Sequence, residues 1–143
     1  MSDPQGVVLD FLGALARSDL DGALPLVADD LTFDNVSLPT LRGKPAFERA
    51  MRRLLDRGVR VEIDVRRVAS DGDNVLTERA DTISWRALRV QVWACGMFEV
   101  RDGRIALWRE YFDWANVIAA GVRGLAGVGR RAIRSRAPAA RPT

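Results

Sequence analysis

The sequence predicts a two-layer α+β domain in which three or four helices lie on one face of a strongly curved, mainly antiparallel mixed sheet around a deep apolar pocket. Apolar residues recur at helical spacing in the first third of the chain and at a spacing of two from Val59 onward. Asp71-Gly72 and Asp102-Gly103 mark turns between alternating runs, the pattern of hairpins. With 143 residues, 48% of them hydrophobic, the chain can build one core but not two.

Asp3 before Pro4 starts the first helix, with the aspartate as N-cap, the proline in the first turn, and Val7, Val8, Phe11, Leu12 and Leu15 on one face. This helix is expected over about 4–17. A short second helix is expected over Asp21–Ala28, with Pro25 tolerable only in its first turn. Leu31–Val36 reads as a short strand, and Pro39 and Gly43 bracket a loop. Lys44–Arg57 makes a third helix that presents Phe47, Ala50, Met51 and Leu54 inward and is ended by Gly58. Val59, Val61, Ile63 and Val65 then alternate with charges as a strand. Further strands follow over Asn74–Trp85, Arg89–Val100 and Ile105–Phe112, giving a four-stranded antiparallel meander. A last helix from Trp114 to about Leu125 completes the domain, residues 1–125. The Arg/Ala/Pro segment 126–143 is expected to be a disordered, solvated tail, because its glycines oppose a stable amphipathic helix.

Histidine is absent, which excludes a Ser-His-Asp triad, a Cys-His pair and a His-ligated metal. Acid and base work falls to carboxylates, to the single Tyr111 or to a perturbed base. The formal charge of +3 belongs to the C-terminal end, where six arginines and no acid follow Asp113. No nucleic-acid recognition motif accompanies it, so no nucleic-acid partner is expected. The single cysteine, Cys95, allows no internal disulfide. No apolar run approaches the roughly 20 residues of a membrane helix, and no signal peptide is read. A cytoplasmic protein without membrane insertion is the expectation.

Strand parity selects the polar residues that share a face, because residues two apart point the same way. Phe33 and Asn35 form one such set, Arg79 and Asp81 a second, and Trp108, Glu110 and Phe112 a third. By spacing alone Arg79 and Asp81 fit a surface cross-strand ion pair, Glu110 an edge charge, and Asn35 a turn residue, as readily as a pocket. Asp113 fits the N-cap of the last helix. Apolar walls are expected from Leu26, Val36, Leu38, Met51, Leu55, Trp93, Met97 and the tryptophans generally, each of which also fits ordinary core.

The segments Phe33-Asp34-Asn35-Val36-Ser37-Leu38-Pro39, Thr77-Glu78-Arg79-Ala80-Asp81 and Trp108-Arg109-Glu110-Tyr111-Phe112-Asp113 resemble, in order and approximate spacing, motifs of the limonene-1,2-epoxide hydrolase family. The resemblance spans about residues 5–115. It implies the cystatin-like cone of nuclear transport factor 2-like and SnoaL-like proteins, many of which dimerise through the sheet, and hence a homodimer here. It implies Asp81 as general acid toward an epoxide oxygen, Glu110 as base toward the attacking water, Arg79 as the bridge between them, and Asn35 as a partner of the water. Phe33, Leu38, Met51, Leu55, Trp93, Met97, Trp108 and Phe112 would contact a lipophilic epoxide. No cofactor or metal is implied.

Two positions depart from the usual family residues: Phe33 stands for a tyrosine, and Glu110 for an aspartate. The longer side chain displaces the carboxylate by about 1 Å, a scale on which catalysis is sensitive. Other activities on such a cone are a ketosteroid-isomerase-like or polyketide-cyclase-like enzyme, or a non-catalytic small-molecule-binding dimer.

Overall fold

The computed structural model of the chain describes residues 3–36, 38–112, 121–123 and 126. Helix α1, Pro4–Ala16, starts as its sequence dictates: the Asp3 carboxylate accepts hydrogen bonds from the backbone N–H groups of Gln5 and Gly6 at 3.2 and 3.1 Å. Helix α2 spans only Leu20–Ala23 and gives way to a 3₁₀ turn over Leu24–Leu26. It is shorter than the expected Asp21–Ala28. Pro25 sits in the tighter turn, and Val27 already belongs to strand β1, Val27–Asn35. That strand begins four residues before the expected one, since Asp29 and Asp30 break the apolar run without breaking the extended backbone.

A two-residue strand, β2 (Leu41–Arg42), is too short to leave a periodic signal. Helix α3, Lys44–Asp56, buries Phe47. It ends at Gly58, whose φ of +81° is the left-handed conformation that closes a helix, with the Gly58 and Val59 N–H groups donating to the carbonyls of Leu55 and Leu54. The meander follows as β3 (Arg60–Asp71), β4 (Asn74–Trp85), β5 (Leu88–Arg101) and β6 (Arg104–Phe112).

The six strands form one mixed sheet in the order β2-β1-β6-β5-β4-β3. All neighbours are antiparallel except β1 and β6, which run parallel and set Phe33 opposite Trp108 and Asn35 opposite Glu110. Helix α1 packs across β3 to β6, and α3 against β1 and β2. The core lies under them. Trp108 is its hub, with Phe33 at 4.5 Å, Phe11 edge-on at 5.3 Å, Phe98 stacked at 5.6 Å and Phe47 at 6.0 Å between ring centroids. Register shifts within β1, β3 and β5 bend the strands, and the sheet is not closed. Among the described residues no helix is long and apolar enough to cross a membrane. Of the expected last helix only residues 121–123 are described, and they are helical; its start, Asp113 as its cap and nearly all of the 126–143 tail lie outside the described residues.

Candidate active site

Three charged side chains point from the sheet into the helix-covered interior. Arg79 is 1% exposed, Glu110 2% and Asp81 6%, so the surface ion pair that the spacing also allowed is not what forms. Parity is the cause: the β4 residues of this face, Val75, Thr77, Arg79 and Asp81, share a side with Val92, Ala94, Gly96 and Phe98 of β5, which are all buried. Burying one arginine and two carboxylates is costly unless they satisfy one another. All but one of their polar atoms are paired: Arg79 Nη2 donates to Asp81 Oδ2 at 2.8 Å and to Glu110 Oε2 at 2.9 Å, and Arg79 Nε donates to Asp81 Oδ1 at 3.3 Å, while Arg79 Nη1 is buried without a partner among the described residues. The remaining carboxylate oxygen, Glu110 Oε1, accepts from the indole N–H of Trp108.

The charge balance of this group decides its chemistry. One guanidinium compensates one carboxylate, so in a buried site the second carboxyl favours its neutral form. Burial pushes Glu110 up to about 7; the Arg79 charge, its hydrogen bond and that of Trp108 work against the rise, and Asp81 adds to it. For Arg79, burial disfavours the charge, but Glu110 and Asp81 outweigh it and hold the guanidinium above its ordinary value. A cluster that is neutral with one shared proton and negative without it carries both an acid and a base near neutral pH.

Asn35 stands beside Glu110 across the parallel β1–β6 pair. Its side-chain oxygen is buried and accepts no hydrogen bond among the described residues. Above these groups opens a cavity of about 320 Å³, within the range of small-molecule sites. Phe33, Met51, Leu55, Trp108 and Phe112 line it as the sequence predicts. So do Leu15 and Leu20 from the first two helices, Val61 and Ile63 from β3, Ile83 and Val92, which the sequence pattern does not single out. The alternation along β3 is their signal, but it does not tell which strand closes the pocket.

Three expected contacts are corrected. Leu38 is 61% exposed, in the loop after β1. Trp93, 44% exposed, and Met97 alternate with the buried β5 residues and lie on the opposite face of the sheet, where the Trp93 N–H donates to Glu78 at 3.2 Å. Of the other expected walls, Val36 is exposed and Leu26 packs on the core away from the cavity. Phe33, with no hydroxyl, fills its place by packing on Trp108 and Phe47. Glycine at position 96, inside β5 and against the charged cluster, is a further site residue that the motifs do not mark. A glycine within a strand is the signal that could have found it.

The sequence model described as the limonene-1,2-epoxide hydrolase catalytic domain matches residues 2–123. The chain is 44% identical over 115 residues to epoxide hydrolase EphG of Mycobacterium tuberculosis (strain ATCC 25618 / H37Rv), covering 80% of this chain and 76% of that protein. Among solved structures, an LEH-like epoxide hydrolase of M. tuberculosis superposes with a TM-score of 0.85 at 40% identity, over 90% of this chain and 96% of the other. An NTF2-like protein of Cytophaga hutchinsonii ATCC 33406, at 18% identity and a TM-score of 0.66 over 79% and 92% of the two chains, shares the fold. A buried arginine shared by two carboxylates, on an NTF2-like cone matched along nearly its whole described length, places the chain in the limonene-1,2-epoxide hydrolase family.

Proposed function

We propose that the protein is a cofactor-independent hydrolase that opens a lipophilic epoxide to a vicinal diol in one step. The observation that carries this is the single buried guanidinium shared by Asp81 and Glu110 beneath an apolar cavity. An oxirane is strained, but its alkoxide is a poor leaving group, so protonating that oxygen while activating water lowers the barrier from both sides.

In the reactive form the one proton of the pair, which burial favours on Glu110, stands on Asp81 instead, and Asp81 donates it to the oxirane oxygen as the C–O bond breaks and the bond electrons move to that oxygen. Glu110 takes one proton from the water whose oxygen forms the new C–O bond. The second water hydrogen needs an acceptor, and the buried Asn35 Oδ1 beside Glu110 supplies it. Phe33 shapes the apolar wall and leaves the orientation of the water to these two oxygens. Return of the proton from Glu110 to Asp81 completes the addition of one water. A proton shift at carbon, as in an isomerase, needs only one carboxylate and leaves the second without a task.

Incubation with a panel of lipophilic epoxides in ¹⁸O-labelled water tests the reading. Enzyme-dependent labelled diol is expected; binding of the same compounds without turnover would overturn it in favour of a binding module.

The competent state carries one proton on the carboxyl pair. Glu110, pushed up to about 7, marks loss of that proton, so kcat/KM is expected to fall above about pH 7 and again at acid pH as the pair takes a second proton. A profile flat from about pH 5 to 9 would contradict a titrating pair.

The outer face of the sheet exposes Leu76, Trp93 and Tyr111 next to Met97, apolar side chains set around the charges of Glu78 and Arg109 in a mixed patch that can seat a partner. We place a homodimer contact there. Trp93→Arg is expected to halve the mass measured by sedimentation; a wild type that already sediments as a monomer would remove this assignment. A cytoplasmic location accords with the one partly buried cysteine.

A further inference from the structure

Gly96 sits in the middle of β5, opposite Thr77 of β4 on one side and Glu110 of β6 on the other, on the face that carries the charged cluster. Glycine weakens a strand interior, and where it occurs it often marks a close approach. Here the approaching groups are the catalytic ones. A Cβ at this position would stand 2.8 Å from Arg79 Nη1, 3.0 Å from Glu110 Oε1 and 3.0 Å from Phe98 Cε2. Nη1 itself makes no hydrogen bond among the described residues, but all three side chains are held through other atoms or by packing. Arg79 is fastened to both carboxylates, Glu110 is fastened to Arg79 and to Trp108, and Phe98 is fully buried and stacked on Trp108. The backbone at 96 does not have the positive φ that would itself demand glycine, so the requirement is one of space.

The length of Glu110 gives this space a purpose. A glutamate carries its carboxylate one methylene further from the strand than an aspartate does, and the additional reach brings Oε1 over the neighbouring strand at position 96. We propose that Gly96 is the positioning residue that allows a glutamate to serve as the base, its bare Cα leaving the depth in which the longer carboxylate meets the guanidinium and the indole at once. Positions 96 and 110 are then a matched pair. A short residue 110 removes one of the three contacts that a side chain at 96 would make and releases the guanidinium, the nearest of them, from its bond to residue 110, leaving Phe98 as the contact that stays; a long residue 110 is tolerable when 96 has no side chain. The inference rests on the hydrolase reading for its kinetic consequences, but not for its geometry.

The test is a cycle of four proteins: wild type, Gly96→Ala, Glu110→Asp and the double variant. In the glutamate background Gly96→Ala is expected to keep the fold, leave KM little changed and lower kcat about 100-fold, the scale of a misplaced reacting group. In the aspartate background the same alanine is expected to cost at least about tenfold less, because coupled neighbours are non-additive. Equal losses in the two backgrounds would overturn the proposal. The Glu110 carboxyl, followed by NMR with a ¹³C label at its carboxylate carbon, gives a readout that needs no substrate. Gly96→Ala is expected to drive its titration upward as contact with Arg79 loosens; an unmoved titration would likewise overturn the proposal. If Gly96→Ala fails to fold, restoration of the fold in the double variant is expected, and failure of that rescue counts against the pair. Wild type that titrates as described but forms no diol would remove the hydrolase reading and leave the matched pair standing.

Discussion

Asp81→Asn and Glu110→Gln are each expected to lower kcat by about 10²- to 10⁴-fold, the range that a positioned acid or base contributes. Both replacements keep the shape of the side chain and remove its proton chemistry together with its charge toward Arg79. The asparagine at position 81 would still accept from Arg79 but would have no acidic proton for the oxirane oxygen. The glutamine at position 110 would still occupy its place beside Asn35 but would have no basic oxygen for the water. Because the two carboxyls share one guanidinium and, on the hydrolase reading, one proton, they are expected to work as a unit. The double variant is therefore expected to lose little more than the worse single variant. Labelled-diol formation under single-turnover conditions checks both points. Losses that multiply would show two independent groups instead of a pair.

The largest effect on stability is expected from Arg79→Met. Removing one member of a buried ion pair leaves an uncompensated charge and typically costs about 3–5 kcal/mol. Here two carboxylates lose the cation they share, in a site where Arg79 is the main force opposing the rise of Glu110. The sign of the pH dependence follows. A carboxyl whose folded-state pKa lies above its unfolded value stabilises the fold below the unfolded value, and that contribution disappears as pH rises through the folded one. Without Arg79 the folded value of Glu110 rises further, so the variant is expected to suffer most at about pH 8 and far less at about pH 5, where Glu110 carries its proton. Urea unfolding at the two pH values decides it. An equal loss at both would mean that the guanidinium matters for packing and not for charge.

Parity makes the pairs legible in the sequence, since Arg79 with Asp81, and Trp108 with Glu110 and Phe112, share a face whichever way the sheet bends, but only the family resemblance joins these pairs in one buried cluster. The pocket walls are only partly legible. On β5 both faces are apolar, with Val92 and Phe98 on one side and Trp93 and Met97 on the other, so hydrophobicity does not say which side meets the helices. The position of β1 is also out of reach. No local signal announces that a strand at the start of the chain will lie parallel to one at its end, yet that pairing puts Asn35 beside Glu110. Gly96 escapes for the opposite reason, since a residue without a side chain shows its value only once its neighbours are placed.

That parallel pairing separates the assembly of the site into a local and a distant part. Arg79, Asp81 and Glu110 belong to the hairpin-connected meander, whose contacts are short in sequence and cheap to close. Asn35 joins them from 75 residues away. A chain in which the meander has formed and β1 has not docked would hold the carboxyls and their guanidinium without the amide oxygen proposed to orient water. On the hydrolase reading, diol formation therefore depends on the long-range β1–β6 closure as well as on the meander.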